Sequence, residues 1–392
     1  MKFLTFILAC YAFTHSVVQA QVDLEIAGEA GYESRYRLTG DFDISRTFVG
    51  ISSRYTPSVL PIEFKFEGWA WKNFSAQQNQ LAESEVSLRE LSISQWLDWG
   101  GYRAGLQSVQ WGETFGYRPL DLVQTRNYRD YSFLDTTRSR IPVLAINATW
   151  MWEDFRGQLI FNPRSERPIL SATVNGVTII NEERDPSILN SPEFGTKVGI
   201  TKEGYNLDLY WYRHLSRSPK LVSSLNSNAV PVLTTFYDQV HSTGGSFSMA
   251  ISDWVLRTDA LATFNQPFTG SNQTQTTYSL TTGTDYSPSS IEGLTVGVQG
   301  HIDRYNIIGS PVNLAASALV RKAFLQGKLS FEGQVYQSLT LRDQWLTLQS
   351  RLFFLEQWEI QLGAEWVSAD PLSPFYFFDG VKRVSTELTL RF

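Results

Sequence analysis

Along most of this chain, apolar and polar residues take turns one by one. In 294–303, Leu294, Val296, Val298, Gly300 and Ile302 oppose Gln299, His301 and Asp303. In 358–366, Trp358, Ile360, Leu362, Ala364 and Trp366 oppose Glu359, Gln361 and Glu365. The same holds in 60–72, where Ile62, Phe64, Phe66, Gly68 and Ala70 oppose Glu63, Lys65, Glu67 and Trp69. The final residues repeat it: Val384, Thr386, Leu388, Leu390 and Phe392 fall on one face, and Ser385, Glu387, Thr389 and Arg391 on the other. A period of two puts the two sets on opposite faces of extended strands. The pattern predicts strands at 22–36, 42–56, 60–73, 84–98, 101–112, 141–153, 155–164, 193–202, 204–216, 241–252, 254–266, 273–286, 293–306, 313–325, 327–341, 343–355, 357–369 and 380–392. Segment 84–98 breaks its own parity. Val86 and Leu88 lie on one face while Leu91, Ile93 and Leu97 lie on the other, as a bulge or a late start would produce.

The connections sort into two kinds. With the first strand running outward, alternate connections are tight: Trp99-Gly100-Gly101, Glu153-Asp154, Glu203-Gly204, Ser252-Asp253, Gln326-Gly327 and Glu356-Gln357. The other set holds the long ones, 113–140, 165–192, 217–240 and 370–379. Short turns at one end and long loops at the other are the habit of outer-membrane barrels. The expected fold is therefore all-β, a transmembrane antiparallel β-barrel of about 18 strands, with 16 as the alternative if one weak hairpin lies outside the wall. Within 165–192, Asn175-Gly176 sits between apolar runs and signals a hairpin, either a ribbon extending the wall or a lid.

Composition changes the picture in one respect. A mean hydropathy of −0.19 reads as soluble, yet aromatics reach 14% with 12 Trp. Strands wet on one face and greasy on the other average to neutral hydropathy, and interfacial girdles raise the Trp and Tyr count. Residues 1–20 read as a signal peptide: Lys2, an apolar run from Phe3 to Phe13, and Val18-Gln19-Ala20 as cleavage site before Gln21. Ile7-Leu8-Ala9-Cys10 leaves a lipoprotein signal as the alternative. Residues 21–392 then form one domain placed in the outer membrane of a Gram-negative cell. The net charge of −6 supplies no basic face for nucleic acid.

The most distinctive stretch is 101–140. Gly105, Gln107, Trp111, Gly112 and Glu113 form a Gly-x-Gln-x-x-x-Trp-Gly-Glu strand motif, with Asp121 in the loop beyond and an Arg89-Glu90 pair upstream. This resembles a large family of proteobacterial outer-membrane barrels regarded as transport-associated and porin-like. Leu122-Val123-Gln124 stands where that pattern has an Asn-Pro. The resemblance implies a membrane barrel whose partners are outer-membrane lipid and lipopolysaccharide, the barrel-assembly machinery, and a small solute or lipid-like cargo. Phe392 ends the chain as the assembly signal of such barrels does. From the residues themselves, Gly112 permits a sharp turn. The loop after it carries Arg118, Asp121, Arg126, Arg129, Asp130, Asp135, Arg138 and Arg140 among Phe115, Tyr117, Tyr128, Tyr131 and Phe133. Such a loop is expected to fold inward, bury its rings and constrict the pore with its charges.

A charge on the lipid face near mid-membrane costs about 2–4 kcal/mol. Glu63, Lys65, Glu67, Asp208, His214, Arg257, Asp259, His301, Asp303, Glu332, Arg351, Glu359, Glu365, Glu387 and Arg391 are therefore assigned to the lumen wall, mostly as cross-strand pairs. The spacing shows no zinc-ligand cluster and no Gly-x-Ser-x-Gly elbow. His301 and Asp303, two apart on one face, are weak ground for catalysis. The expectation is a channel without enzymatic activity, cofactor or metal, with an export component or a non-transport barrel as alternatives.

Overall fold

The computed structural model describes residues 24–38, 42–57, 61–75, 82–134, 137–170, 173–174, 177–180, 191–225, 231–267, 273–305, 307 and 309–392. The segment read as a signal peptide, residues 1–20 with Cys10, and the loop residue Asp135 lie outside them.

Eighteen antiparallel strands form the wall: β1 (Leu24–Arg37), β2 (Phe42–Tyr55), β3 (Ile62–Asn73), β4 (Ser84–Leu97), β5 (Gly100–Gln107), β6 (Val143–Trp152), β7 (Phe155–Asn162), β8 (Glu193–Lys202), β9 (Tyr205–Leu215), β10 (Gln239–Ile251), β11 (Trp254–Pro267), β12 (Thr274–Tyr286), β13 (Leu294–Arg304), β14 (Asn313–Phe324), β15 (Leu329–Ser338), β16 (Gln344–Phe353), β17 (Trp358–Ser368) and β18 (Lys382–Arg391). Each pairs with its sequence neighbours, and β18 pairs with β1 from Arg391↔Glu29 to Arg383↔Arg37, so the sheet closes. Each of the eighteen strands expected from alternation is present. Below the last ladder rung, Gly28 and Phe392 exchange backbone hydrogen bonds of 2.7 and 2.9 Å, which carries the seam to the chain end.

The outer face is apolar. Val86, Leu91, Val298, Leu348 and Leu362 point outward and exposed. Trp96, Trp99, Trp152, Phe155, Trp254, Phe324 and Phe354 ring the end with the tight turns. Trp211, Phe264, Tyr278 and Trp366 stand nearer the other end. An apolar band between two aromatic girdles is the surface of a barrel that sits in lipid.

The parity break in β4 is a bulge. Glu67 of β3 faces Glu90, but Gly68 faces Leu88, so Arg89 is the extra residue. Val86 and Leu88 keep to the lipid face before it, and Leu91 returns to that face after it. The bulge lets two consecutive side chains, Arg89 and Glu90, leave the lipid face. At the loop end, Thr173–Val174 pairs antiparallel with Val177–Thr178, as the hairpin signal suggested. The turn residues Asn175 and Gly176 lie outside the described residues. Val177–Ile180 also runs parallel to Pro231–Phe236, which pairs with Lys220–Leu225, so two long connections share one four-stranded ribbon.

Closure is tight at the seam. A Cβ added to Gly31 would strike the Leu388 carbonyl and the Phe48 ring. Gly31→Val should therefore cost about 1–3 kcal/mol through forced overpacking. Loss of the heat-modifiable gel shift at a lower temperature than for the parent barrel would show it.

Candidate functional site

The wall strand β5 ends earlier than its sequence pattern suggests, at Gln107 rather than 112. Gln107 is fully buried, and its Nε2 donates to the Ala145 carbonyl of β6 at 2.8 Å. Two residues earlier, Gly105 adopts φ +123°, and a side chain there would strike the Leu91 carbonyl. From Ser108 the chain leaves the ladder. Trp111 is 2% exposed; its Nε1 donates to Gln158 Oε1 at 2.9 Å, and its ring packs 5.2 and 5.5 Å from those of Tyr210 and Tyr212. Gly112 then turns at φ +93°, where a Cβ would lie 2.8 Å from an Asp259 oxygen. This lets the backbone amides of Glu113 and Thr114 reach the Asp259 carboxylate of β11 at 3.0 and 3.1 Å, with Thr114 Oγ1 at 2.7 Å. Each motif residue thus helps turn the chain from the wall into the lumen.

The 108–142 connection then touches strands all round the barrel. The Gln299 amide of β13 pairs with both the N–H and the carbonyl of Phe115, each at 3.1 Å. Tyr117 meets His301 edge to face, and Phe133 stacks on Trp345 of β16. Thr125–Arg126 pairs with Arg140–Ile141 at the base of the loop. Between them, Asn127 Oδ1 accepts the Arg129 amide at 3.1 Å and caps a short 3-10 turn, Tyr128–Asp130.

That turn delivers Asp130 to a buried charge cluster on β1 and β2. Arg46 Nη1 lies 2.6 Å and Arg35 Nη1 3.4 Å from the Asp130 carboxylate. Glu33 lies 2.6 Å from Arg35 Nε and 2.8 Å from Arg46 Nη2. Two carboxylates and two guanidiniums cancel within one cluster, the arrangement burial demands. Arg138 grips Glu387 of β18 through two bonds of 2.7 and 2.8 Å, and its guanidinium lies 4.7 Å from the Phe48 ring centroid. Ser132 Oγ and the Leu134 amide donate to Glu365 of β17 at 2.7 and 3.1 Å. Arg89, freed by the bulge, donates to the Thr137 and Arg140 carbonyls at 2.8 Å each.

The charges singled out in the loop separate into groups. Asp121 holds Arg126 at 2.8 Å and Arg140 at 3.2 Å, and Arg140 also donates to Gln110 at 2.9 Å. Arg129 donates to the Leu170 carbonyl in the β7–β8 connection at 3.1 Å. Asp130, Arg138 and Arg118 line one cavity of about 810 Å³ on the side of the tight turns. The Arg118 carbonyl accepts the Asp121 amide at 3.3 Å, but its guanidinium makes no hydrogen bond or ion pair with another described residue. Burial, then the charge of neighbouring Arg140, pushes its guanidinium below its ordinary pKa. Burial pushes the Tyr131 phenol up to about 12. Tyr117 and Pro119, on either side of Arg118, line a second cavity of about 150 Å³ with His214, Arg217 and Asp303 on the loop side. Arg118 therefore stands at the partition between two chambers.

The wall residues are mostly occupied by one another or by the loop. Glu63 lies 3.1 Å from Lys65 and 3.3 Å from Arg54. Arg257 pairs with Asp285 at 2.8 Å and reaches Glu113 at 3.4 Å. His301 faces Thr281 and Ser317 across its neighbouring strands, at 3.0 and 2.9 Å, while Asp303 accepts from Ser279. Glu67 accepts the Trp69 indole at 2.9 Å. Sequence reasoning missed Glu33, Arg35 and Arg46, whose partner lies some ninety residues away. It also missed the inward fold of the β17–β18 connection, where Phe375 and Phe378 pack on Phe133. The run Phe375-Tyr376-Phe377-Phe378 was the available signal. Among the described residues, no group of three or more His, Cys, Asp or Glu is placed to hold a metal ion.

No family model and no curated protein matches the chain. Solved structures do match its fold. OccAB1 of Acinetobacter baumannii superposes with TM-score 0.58 at 10% identity, over 95% of this chain and 98% of its own. The outer membrane protein opdK of Pseudomonas aeruginosa gives 0.58 at 7%, over 94% and 98%. OccK8 (OprE) of the same organism gives 0.56 at 10%, over 95% and 98%. At these identities the likeness is one of fold.

Two outcomes follow from the docking. Asp259→Ala leaves two loop amides without their acceptor, a loss of about 1–3 kcal/mol for each buried donor. Amide exchange at Glu113 and Thr114 should quicken, with Asp259→Asn intermediate. Arg89→Ala should speed exchange in 137–141 while the thermal transition of the barrel stays near that of the parent.

Proposed function

We propose that the protein is a porin-like channel of the Gram-negative outer membrane that passes small polar or charged solutes. Its lumen is narrowed by the 108–142 loop. The observation that carries this reading is a loop pinned across a closed, lipid-faced barrel, with a charge-lined chamber on the side of the tight turns and a smaller cavity on the loop side. In this reading Arg118, Asp130 and Arg138 face the passage, while Asp121, Arg126, Arg129 and Arg140 set the shape of the loop. The chamber lining favours a polar solute over lipid-like cargo, since charged side chains dominate it. Resemblance of the Gly105–Glu113 motif to transport-associated barrels supports the same function. The terminal strand ending in Phe392 serves barrel assembly, and the aromatic girdles contact membrane lipid.

Replacing 127–138 with a short Gly-Ser bridge tests the reading. It removes the Asp130 and Arg138 contacts but keeps the turn at Asp259. In planar bilayers the parent should give discrete conductance steps, and the shortened protein steps several times larger. A barrel that folds yet conducts nothing, with or without the bridge, would sink the proposal.

A further inference from the structure

The charges around the larger chamber are nearly all spoken for. Arg138 is held by Glu387 and Arg46 by Asp130. Arg321 pairs with Glu332 at 2.7 Å, Arg351 with Glu359 at 2.8 Å, and Arg391 with Glu359 at 2.6 Å. Two lining groups stand apart. The guanidinium of Arg118, on the loop, has no hydrogen-bonding or ion-paired partner among the described residues. Glu67, on β3, accepts the Trp69 indole N–H but has no cation within ion-pair distance among the described residues. Both line the same chamber, whose volume of about 810 Å³ falls within the range of small-molecule sites. The rings of Trp69, Trp71 and Phe48 lie along the wall on the Glu67 side, each beneath a guanidinium of Arg46 or Arg138.

A charge without a counter-charge of its own in a confined lumen attracts a solute group of the opposite sign. One such group of each sign in one chamber calls for one solute carrying both signs. A simple anion would satisfy Arg118 and be repelled near Glu67. A simple cation would do the reverse. Discrimination against the wrong solute then comes from an unrelieved or repelled charge rather than from contact area.

We infer that the larger chamber is a binding station for zwitterionic solutes of the amino-acid type, their carboxylate held by Arg118 and their ammonium by Glu67. Arg138 and Arg46 already lie over the Trp69 and Trp71 rings, 5.4 and 5.6 Å from their centroids, so the two charges carry recognition rather than the aromatic faces. This rests on the channel reading and names its solute class. Binding is weak enough to release: each contact is a single charge pair in a wet chamber, as passage through a pore requires.

Single-channel recording on the full-length protein in planar bilayers tests the inference with three solutes of one size. Phenylalanine carries both charges, phenylacetate only the negative one and phenethylamine only the positive one. Phenylalanine should interrupt the current longest. Arg118→Gln and Glu67→Gln should each shorten its dwell about tenfold, the worth of one charge-assisted contact. Arg118→Lys should retain most of it. Phenylacetate dwelling as long as phenylalanine, or a phenylalanine dwell indifferent to Glu67→Gln, overturns the inference in favour of a plain anion site. Steady conductance that none of the three interrupts overturns the inference and leaves the channel reading standing. Absence of any conductance removes both.

Discussion

A backbone amide or carbonyl facing lipid has no water to turn to, and this constraint governs the molecule. Each strand must find both neighbours, so the sheet has to close. β18 therefore returns to β1, and the seam runs on to the paired backbone of Gly28 and Phe392. Once the cylinder is closed, the two-residue period of each strand divides its side chains between lipid and lumen. Apolar residues take the outside because a charge there is expensive. The wall charges are driven inward, where they need partners of their own.

The inward loop supplies many of those partners. Asp259 accepts two amides and a hydroxyl, Glu365 an amide and a hydroxyl, and Glu387 a bidentate arginine. Asp130 completes the neutral cluster with Glu33, Arg35 and Arg46. In the other direction, Arg89 and Arg217 donate to loop carbonyls. The loop is thus held at points spread round the circumference, and its position does not depend on one contact. Such a brace leaves two chambers and one arginine between them. Narrowing the lumen and satisfying the wall are the same structural act.

The bulge in β4 shows how local irregularity serves this arrangement. Without the extra residue, strict alternation would send one of Arg89 and Glu90 toward lipid. With it, both stay off that face, and Arg89 reaches the returning limb of the loop. Gly105 and Gly112 play matching parts on the outgoing limb. One permits close approach of β4, and the other turns the chain toward Asp259.

The sequence alone determined the wall. Alternation located the eighteen strands, loop lengths sorted the two ends, and a slipped parity marked the bulge, because each of these is a local consequence of facing two solvents. It also marked the motif segment and the aromatic, charged loop as distinctive. It did not reveal that the ladder stops at Gln107, since Val109 and Trp111 keep an apolar parity while packing inside the barrel. Nor could it separate Asp121, which holds two arginines, from Arg118, which holds none. Those assignments depend on groups up to about 250 residues apart that meet only after the cylinder closes. Periodicity says which face a side chain takes, and only the closed tertiary structure decides which other side chain waits there.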